Sequence, residues 1–193
     1  KKAYLLILVL LSFMPLRAQK NAATAEGRLT YSLDGEDWSV ISAPPGTGEA
    51  AGYYNNAYPS ARAVPAKVPG DINWDLMRAG KLPDIFIGMN AKKTYTLPLK
   101  EWWYHKSFTV TKEWEHKRIR LNFAAVDYAA KVWLNGQYLG EHVGQFTPFG
   151  FYITNKVKIG KPNNLIILIE PAPENIIKKL FPRGGGQWQR SLI

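Results

Sequence analysis

A chain of 193 residues, 46% of them hydrophobic and 13% aromatic, is long enough to fold around one buried core, which excludes wholesale disorder. Its formal net charge of +10 is scattered over predicted strands and turns, without the basic cluster on one element that nucleic-acid binding requires. Cysteine is absent, which excludes disulfides, thiolate metal sites and a cysteine nucleophile.

The amino-terminal segment has the composition of a secretory signal. Two lysines precede an apolar run that ends at Leu16, shorter than the roughly 20 residues that span a bilayer. We therefore expect a signal peptide over 1–19, cleaved after Ala18, then a flexible mature terminus over 20–28 and no membrane association. An uncleaved membrane anchor is the alternative. Export without cysteine indicates the periplasm or the exterior of a bacterium.

The next part of the chain combines short strands with one helix. Apolar residues alternate over 29–33 and 38–41 around a turn-forming stretch at 34–37, which predicts a hairpin. Residues 42–66 have no periodicity and are rich in Pro, Gly, Ala, Asn and Tyr, which indicates a long surface excursion, functional or disordered. Asp71 is a suitable N-cap for a short helix whose apolar face consists of Ile72, Leu76 and Met77.

The second half of the chain has the alternation of half-buried strands. Apolar and polar residues alternate in four segments, whereas 165–169 is apolar throughout and is predicted to be a central strand. The four segments are 104–110, 118–123, 130–134 and 149–153. Asn135-Gly136 predicts a type I′ turn, because both residues accept a positive φ. Short strands at this spacing predict an all-β antiparallel sandwich.

The sequence offers no recognisable reaction centre. It has no nucleophile elbow, no phosphate-binding loop and no zinc-protease motif. His105, His116 and His142 lie on different predicted elements without ligand spacing, so we expect no metal and no cofactor. Glycoside cleavage requires two carboxyl groups at a set separation. The candidate acidic residues lie mainly in turns, where carboxylates are solvated, so we nominate no catalytic pair.

Three segments of the second half resemble a known family. Residues 102–108 read WWYHKSF, residues 121–142 read LNFAAVDYAAKVWLNGQYLGEH, and residues 144–149 read GQFTPF. They are similar to the patterns WWY(R/K)xxF, LxFxGVDxxAxVWLNGxxLGxH and GGFxPF of the amino-terminal sugar-binding domain of family 2 glycoside hydrolases. That family includes β-galactosidases, β-glucuronidases and β-mannosidases. The resemblance implies a jelly-roll β-sandwich of the galactose-binding type over 29–193, incomplete at its carboxyl end.

The resemblance also implies a function. In this family the two catalytic glutamates lie on a later (β/α)8 barrel, so we expect a non-catalytic sugar-binding and scaffold domain of an exported, exo-acting enzyme, inactive alone. Its expected partners are a β-linked glycan and that catalytic domain. The segment 68–71, with Pro83-Asp84 downstream, resembles the β-mannosidase branch more than the β-galactosidase branch. A free-standing carbohydrate-binding or adhesion module is the alternative.

Two groups of residues are expected to contact substrate on the strength of the resemblance. Asp84 and Asn90 lie in a loop from which family members reach toward the substrate, with turn and capping roles as the alternative. The second group lies in the last segment, where β-mannosidases have Trp-Asp-Trp and this sequence lacks the carboxylate: Gln187, Trp188, Gln189 and Arg190.

Two tryptophans are expected at an interface with the neighbouring domain. Trp102 and Trp103 point to opposite faces of their strand, so one belongs to the core and the other to a surface. Trp133 lies next to Val132 and therefore faces out of the core. We expect Trp102 and Trp133 at the interface.

Overall fold

The computed structural model describes residues 28–170, except residues 56, 95, 96, 98 and 99. Contacts between Cα atoms divide the chain into Lys1–Ser32 and Leu33–Ile193, and every element named below lies in the second unit. The expected signal peptide over 1–19 lies outside the described residues, as does almost all of the expected flexible terminus over 20–28.

The described part of the second unit consists mainly of β-strands. Helix α1 is the single turn Thr47–Ala50, helix α2 spans Ile72–Arg78, and short 3₁₀ helices lie at Ser60–Arg62, Asn90–Thr94 and Lys112–Trp114. The strands are β1 Gly35–Ala43, β2 Val64–Val68, β3 Glu101–Thr109, β4 Arg120–Phe123, β5 Ala129–Leu134, β6 Gln137–Val143, β7 Phe149–Tyr152 and β8 Pro162–Glu170.

These strands form two antiparallel sheets. One sheet has the order β2-β1-β3-β8-β5-β6, and the other pairs β4 with β7. Strand β8 lies between β3 and β5, and side chains pack on both of its faces, so neither face requires polar residues. The prediction of an all-β antiparallel sandwich is confirmed, and so is the central position of residues 165–169.

The main core lies where the two sheets face each other. It combines Trp102, Tyr104 and Ile167 of the six-stranded sheet with Leu121 and Phe123 of the two-stranded sheet. Ile72 and Leu76 of α2 join the same cluster. The helix begins as predicted, because the Asp71 side chain accepts a hydrogen bond from the backbone N–H of Asn73 at 2.8 Å.

A second apolar cluster lies on the opposite face of the six-stranded sheet. Trp103, Trp133, Ile166, Leu168 and Ala43 form it, all of them buried. Residues 44–63, which we call the cover segment, lie over this cluster and contribute Tyr53, Tyr54 and Tyr58. The sequence predicted a surface excursion here. In the structure it is ordered and packs against the sheet.

A buried carboxylate fixes the cover segment to the sheet. Glu101, 1% exposed at the start of β3, accepts hydrogen bonds from the backbone N–H groups of Gly46 at 2.7 Å and Gly48 at 2.8 Å. The same carboxylate accepts the Trp103 indole N–H at 2.9 Å. A Cβ on Gly48 would lie 2.3 Å from that indole nitrogen, so the contact leaves no space for a side chain.

The hairpin predicted over 29–41 is wrong. Residues 29–34 form no strand, whereas β1 already begins at Gly35 and pairs with β2 and β3. The acidic residues that suggested a turn are paired with lysines of neighbouring strands: Glu36 contacts Lys67 at 3.1 Å, and Asp37 contacts Lys106. Both carboxylates stay largely exposed on β1, at 75% and 67%, so the same acidic residues suit a strand as well as a turn.

The hairpin turn predicted at Asn135-Gly136 is confirmed between β5 and β6. Asn135 has φ 54° and Gly136 has φ 79°, the positive values that this turn needs. The Asn135 side chain also donates to the Lys156 carbonyl at 2.9 Å and to Asn163 Oδ1 at 2.9 Å. These bonds connect the turn to the chain before β8 and to the first residues of β8.

We expect Glu101→Gln to lower the free energy of unfolding by about 2–4 kcal/mol, because its amide group cannot accept all three buried N–H donors. Chemical denaturation measures this change. The control is Glu36→Gln, which removes a carboxylate whose side chain is 75% exposed and should change stability by less than about 0.5 kcal/mol. A Glu101→Gln protein as stable as its control would contradict the role of this carboxylate.

A pH-dependent stability change is expected from Tyr58. Its hydroxyl lies 3.2 Å from Ser39 Oγ, and burial raises its pKa to about 12. The folded state therefore keeps the proton that the unfolded state loses near pH 10, so this stability is complete below pH 10 and is lost toward pH 12. Relative to Tyr58→Phe, the free energy of unfolding of the original protein should fall by up to about 3 kcal/mol over this range. Denaturation measures the free energy of unfolding of both proteins at each pH. If it changes by the same amount in both between pH 10 and 12, this prediction is wrong.

Candidate functional site

The substrate contacts expected near the carboxyl end stay predictions. Gln187, Trp188, Gln189 and Arg190 lie outside the described residues. The structure therefore bears on the other expected site residues, Asp84, Asn90, Trp102 and Trp133.

Asp84 and Asn90 lie together at the two ends of one exposed loop. The Asp84 carboxylate accepts the backbone N–H of Phe86 at 2.9 Å, and the Asn90 side chain donates to the Asp84 carbonyl at 3.0 Å. These are the turn-forming roles that the sequence left open as the alternative. A substrate contact by either side chain stays a prediction, and their observed bonds set the shape of the loop.

The Asp84–Asn90 loop exposes three apolar side chains. Phe86 is 70% exposed, Ile87 64% and Met89 67%. Trp74 of helix α2, 53% exposed, lies beside them with its ring centroid 5.7 Å from that of Phe86. Exposed apolar side chains grouped in this way are typical of surfaces that meet another molecule or domain.

The two tryptophans expected at an interface are buried within this chain. Trp102 is 3% exposed in the main core, and Trp133 is 4% exposed in the cluster under the cover segment. This corrects the expectation. Trp102 was assigned to the wrong face, because Trp103 is the member of the pair that points away from the main core. Trp133 does lie on the predicted outer face. The cover segment, whose Tyr54 stacks on Trp133 at 5.6 Å, already occupies the space assigned to a neighbouring domain.

A depression of about 640 Å³ lies beside the cover segment on the same outer face of the sheet. We call it the outer depression. It is lined by residues of β5, β6, their connecting turn and the cover segment: Glu49, Ala50, Tyr54, Lys131, Trp133, Gly136, Tyr138 and Glu141. Its volume falls within the range of small-molecule sites in proteins.

A β-bulge brings the polar and aromatic residues of this depression to one face. Lys131 pairs with Glu141 and Trp133 pairs with Tyr138, so one more residue lies between the partners on β6 than on β5. Tyr138 and Glu141 are three positions apart and would point to opposite faces of a regular strand. Gly140 lies within the bulge with φ 147°, where a Cβ would come within 2.5 Å of the Phe151 ring.

Charge pairing organises the floor of the outer depression. Lys131 Nζ contacts Glu49 Oε2 at 3.0 Å and Glu170 Oε1 at 3.8 Å, with Glu141 as its cross-strand neighbour. The hydrogen bond with Glu49 is the main cause that raises the pKa of Lys131, so the ammonium stays charged at neutral pH. The lining itself therefore holds two carboxylates, Glu49 and Glu141, and one ammonium, while Lys156 approaches from outside and donates to the Tyr138 carbonyl at 3.2 Å.

Tyr138 forms the exposed aromatic wall of the outer depression. Its ring lies 5.5 Å from the Trp133 ring, its hydroxyl donates to Glu141 Oε2 at 3.3 Å, and 48% of its surface is exposed. Partial burial, together with the Glu141 carboxylate, raises the pKa of this phenol, which stays protonated at neutral pH. Sequence reasoning missed this constellation, although the isolated glycine in a strand pattern was a signal for a bulge.

The described residues offer two further observations on function. Among them, no group of three or more His, Asp or Glu side chains comes together as a metal site. Along the same stretch, no helix is both long and apolar enough to cross a membrane.

Known proteins share both the sequence pattern and the fold. A family profile described as "Glycosyl hydrolase 2 galactose-binding domain-like" matches residues 47–189. The β-glucuronidase of Ruminococcus gnavus superposes with a TM-score of 0.56 and 25% identity, over 72% of this chain and 21% of that one. The likeness to this family confirms the predicted galactose-binding type of sandwich.

Three relatives illustrate the range of names in the family. A β-galactosidase of Thermoanaerobacter pseudethanolicus is 39% identical over 82 residues, 42% of this chain and 11% of that protein. A β-glucuronidase of Bacteroides fragilis is 38% identical over 64 residues, which are 33% of this chain and 9% of that protein. A mannosylglycoprotein endo-β-mannosidase of Lilium longiflorum is 31% identical over 138 residues, and the alignment covers 66% of this chain and 14% of that protein.

The chain spans 8 to 18% of the length of the curated relatives it matches. The profile nevertheless covers residues from the cover segment through all the described strands that follow it. The chain belongs to the glycosyl hydrolase 2 galactose-binding domain-like family.

Proposed function

We propose that this chain is the non-catalytic amino-terminal sugar-binding and scaffold domain of an exported, exo-acting glycoside hydrolase. In this proposal a (β/α)8 domain supplies the catalytic glutamates, and the present domain supports that barrel and rims its active site. The observation that carries the proposal is the family match over residues 47–189 in a chain that spans at most 18% of its curated relatives.

The carboxyl groups of the described residues fit a scaffold better than a reaction centre. Burial raises the pKa of Asp75, as a general acid requires, but this side chain is fully buried and accepts hydrogen bonds from Lys67 N and Arg78. Glu101 is equally inaccessible and holds three N–H groups. Neither group has a surface from which to protonate a glycosidic oxygen.

A β-mannosidase-like specificity is the preferred form of the proposal. The alignment with the lily endo-β-mannosidase extends over 66% of this chain, against 42% for the bacterial β-galactosidase. β-Mannosidases of rat and mouse are 29% and 31% identical over about half of it. The segment 68–71 and the downstream Pro83-Asp84 favour the same branch.

The exposed Asp84–Asn90 loop supports the role at the rim of an active site. Its three exposed apolar side chains, with Trp74, provide a surface that a neighbouring catalytic domain can cover. Asp84 and Asn90 hold this loop in shape through their backbone bonds. A contact of these two residues with substrate belongs to the proposal as well.

A free-standing carbohydrate-binding or adhesion module is the second candidate. It is favoured by the outer depression, which combines an exposed tyrosine with carboxylates and does not depend on a second domain. The two candidates differ in what the gene encodes after Ile193. The preferred one requires several hundred further residues with two glutamates, and the second requires a nearby stop codon.

We expect the complete product of the gene to hydrolyse an aryl β-mannoside with a higher kcat/KM than an aryl β-galactoside or β-glucuronide. The 193-residue chain alone should hydrolyse none of them, because the catalytic glutamates lie on the other domain. Release of the aryl alcohol measures both. If the purified chain hydrolyses a substrate and Glu141→Gln abolishes this activity, the non-catalytic assignment is wrong. If the complete product prefers the galactoside, the β-mannosidase-like specificity is wrong.

Variants of the complete product test the rim in the same assay. Asn90→Ala removes the bond that closes the exposed loop and should raise KM with little change in unfolding temperature. The matched control is Asn55→Ala, which removes a comparable side-chain bond to the backbone of Ala57 in the cover segment and should leave KM unchanged. Equal KM values for the two variants would remove the loop from the active-site rim.

Export is also part of the proposal, and it predicts a defined mature terminus. The protein recovered from the periplasm or the culture medium should begin at Gln19, because the signal peptidase cuts after a small residue. Amino-terminal sequencing tests this. Protein retained in the membrane with the first residues intact would favour the uncleaved anchor instead.

A further inference from the structure

We propose that the outer depression is a binding site for a neutral saccharide. The inference rests on the sugar-binding part of the proposed function and deepens it, because it names the surface of this domain that holds the sugar and the class of sugar. It concerns Lys131, Tyr138, Glu141 and Glu49, which no known role of the chain explains. Their arrangement provides a shape, an aromatic surface and a charge pattern, and each of these limits the ligand.

The aromatic surface suits the apolar side of a sugar ring. Tyr138 is 48% exposed, and its ring lies tilted against the Trp133 ring with the two centroids 5.5 Å apart. The Tyr138 hydroxyl is directed to Glu141, and the residue lines the depression. The C–H groups of a pyranose carry a slight positive charge and are attracted to the negative face of an aromatic ring.

The polar groups beside this ring suit hydroxyl groups. Glu49 and Glu141 provide carboxylate oxygens that accept hydrogen bonds, and Lys131 provides ammonium hydrogens that donate them. A saccharide hydroxyl does both, so neighbouring hydroxyls can bind an acceptor and a donor at once. Hydrogen bonds with charged partners are the stronger kind, which offsets the loss of water from the sugar.

The charge balance selects against acidic sugars and simple cations. The two carboxylates that line the depression, Glu49 and Glu141, outnumber its one lining ammonium, that of Lys131, so a uronate would meet repulsion. A ligand cation would compete with Lys131, which already bonds to Glu49 at 3.0 Å. An uncharged ligand with many hydroxyl groups avoids both costs.

The β-bulge brings the carboxylate and the aromatic ring of the depression to the same face of the sheet. A regular β6 strand would turn Glu141 away from Tyr138, and the carboxylate would not lie beside the aromatic ring. The cover segment adds Glu49 from a distant part of the chain, and Glu101 holds that segment in place. The site therefore depends on three separate parts of the chain meeting on the outer face.

The experiment is a titration of the 193-residue chain followed by NMR. Probes are the neutral tetrasaccharides of β-1,4-linked mannose, galactose and glucose, together with glucuronate and glucosamine. At least one neutral probe should shift the signals of residues around the depression, in particular the Trp133 indole. We expect Tyr138→Ala to weaken its binding about threefold to tenfold, as for the loss of one aromatic contact.

Two further variants separate the site from general surface effects. Glu141→Gln keeps the shape of the side chain and removes its charge. It should weaken the binding of the neutral sugar and strengthen the binding of glucuronate. The matched control is Tyr152→Ala on β7. Tyr152 is 56% exposed, close to the 48% of Tyr138, and its loss should leave the affinity for the sugar unchanged. Unfolding temperatures confirm that each variant is folded.

Three results would overturn the inference: no shift with any neutral probe at millimolar concentration, binding that Tyr138→Ala leaves intact, or tighter binding of glucuronate or glucosamine than of every neutral sugar. Hydrolysis by the complete gene product is independent of these results. Loss of the proposed enzyme function would therefore leave the binding measurement interpretable, and a failed titration would leave the scaffold role untouched.

Discussion

A single buried carboxylate closes the outer face of the six-stranded sheet. Glu101 accepts three N–H groups, two from the cover segment and one from the Trp103 indole, and no lysine or arginine among the described residues is hydrogen-bonded to it. Such a group is costly to bury, and the three charge-assisted hydrogen bonds offset that cost. Together with the packing of Tyr53, Tyr54 and Tyr58, they hold the cover segment over the two tryptophans.

This constraint extends to the functional surface. The cover segment places Tyr54 on Trp133 and Glu49 beside Lys131, and the outer depression forms at its edge. The opposite face of the same sheet builds the sandwich core with the two-stranded sheet. One sheet therefore has two different tasks: its inner face provides stability and its outer face provides a surface. The exposed Asp84–Asn90 loop is a separate surface, shaped by its own turn bonds.

The sequence predicted the regular parts of this fold and missed the parts that depend on distant contacts. The central strand over 165–169, the Asp71 cap and the Asn135-Gly136 turn follow from local chemistry, and each is confirmed. The hairpin over 29–41 is wrong because β1 already begins at Gly35 and pairs with β2 and β3, which lie far along the chain. Trp133 was placed on the proper face, but nothing local shows that residues 44–63 return to cover it. The depression depends on a bulge that strict alternation cannot anticipate.

The most direct test of this account is hydrogen exchange at the contacts of the buried carboxylate. NMR exchange rates of the Gly46 and Gly48 amides and of the Trp103 indole report whether the cover segment opens separately from the sheet. The account predicts that all three exchange as slowly as the amides of β3 and β8, and that Glu101→Gln accelerates them selectively. Exchange of the two glycine amides at the rate of an unstructured loop would contradict it.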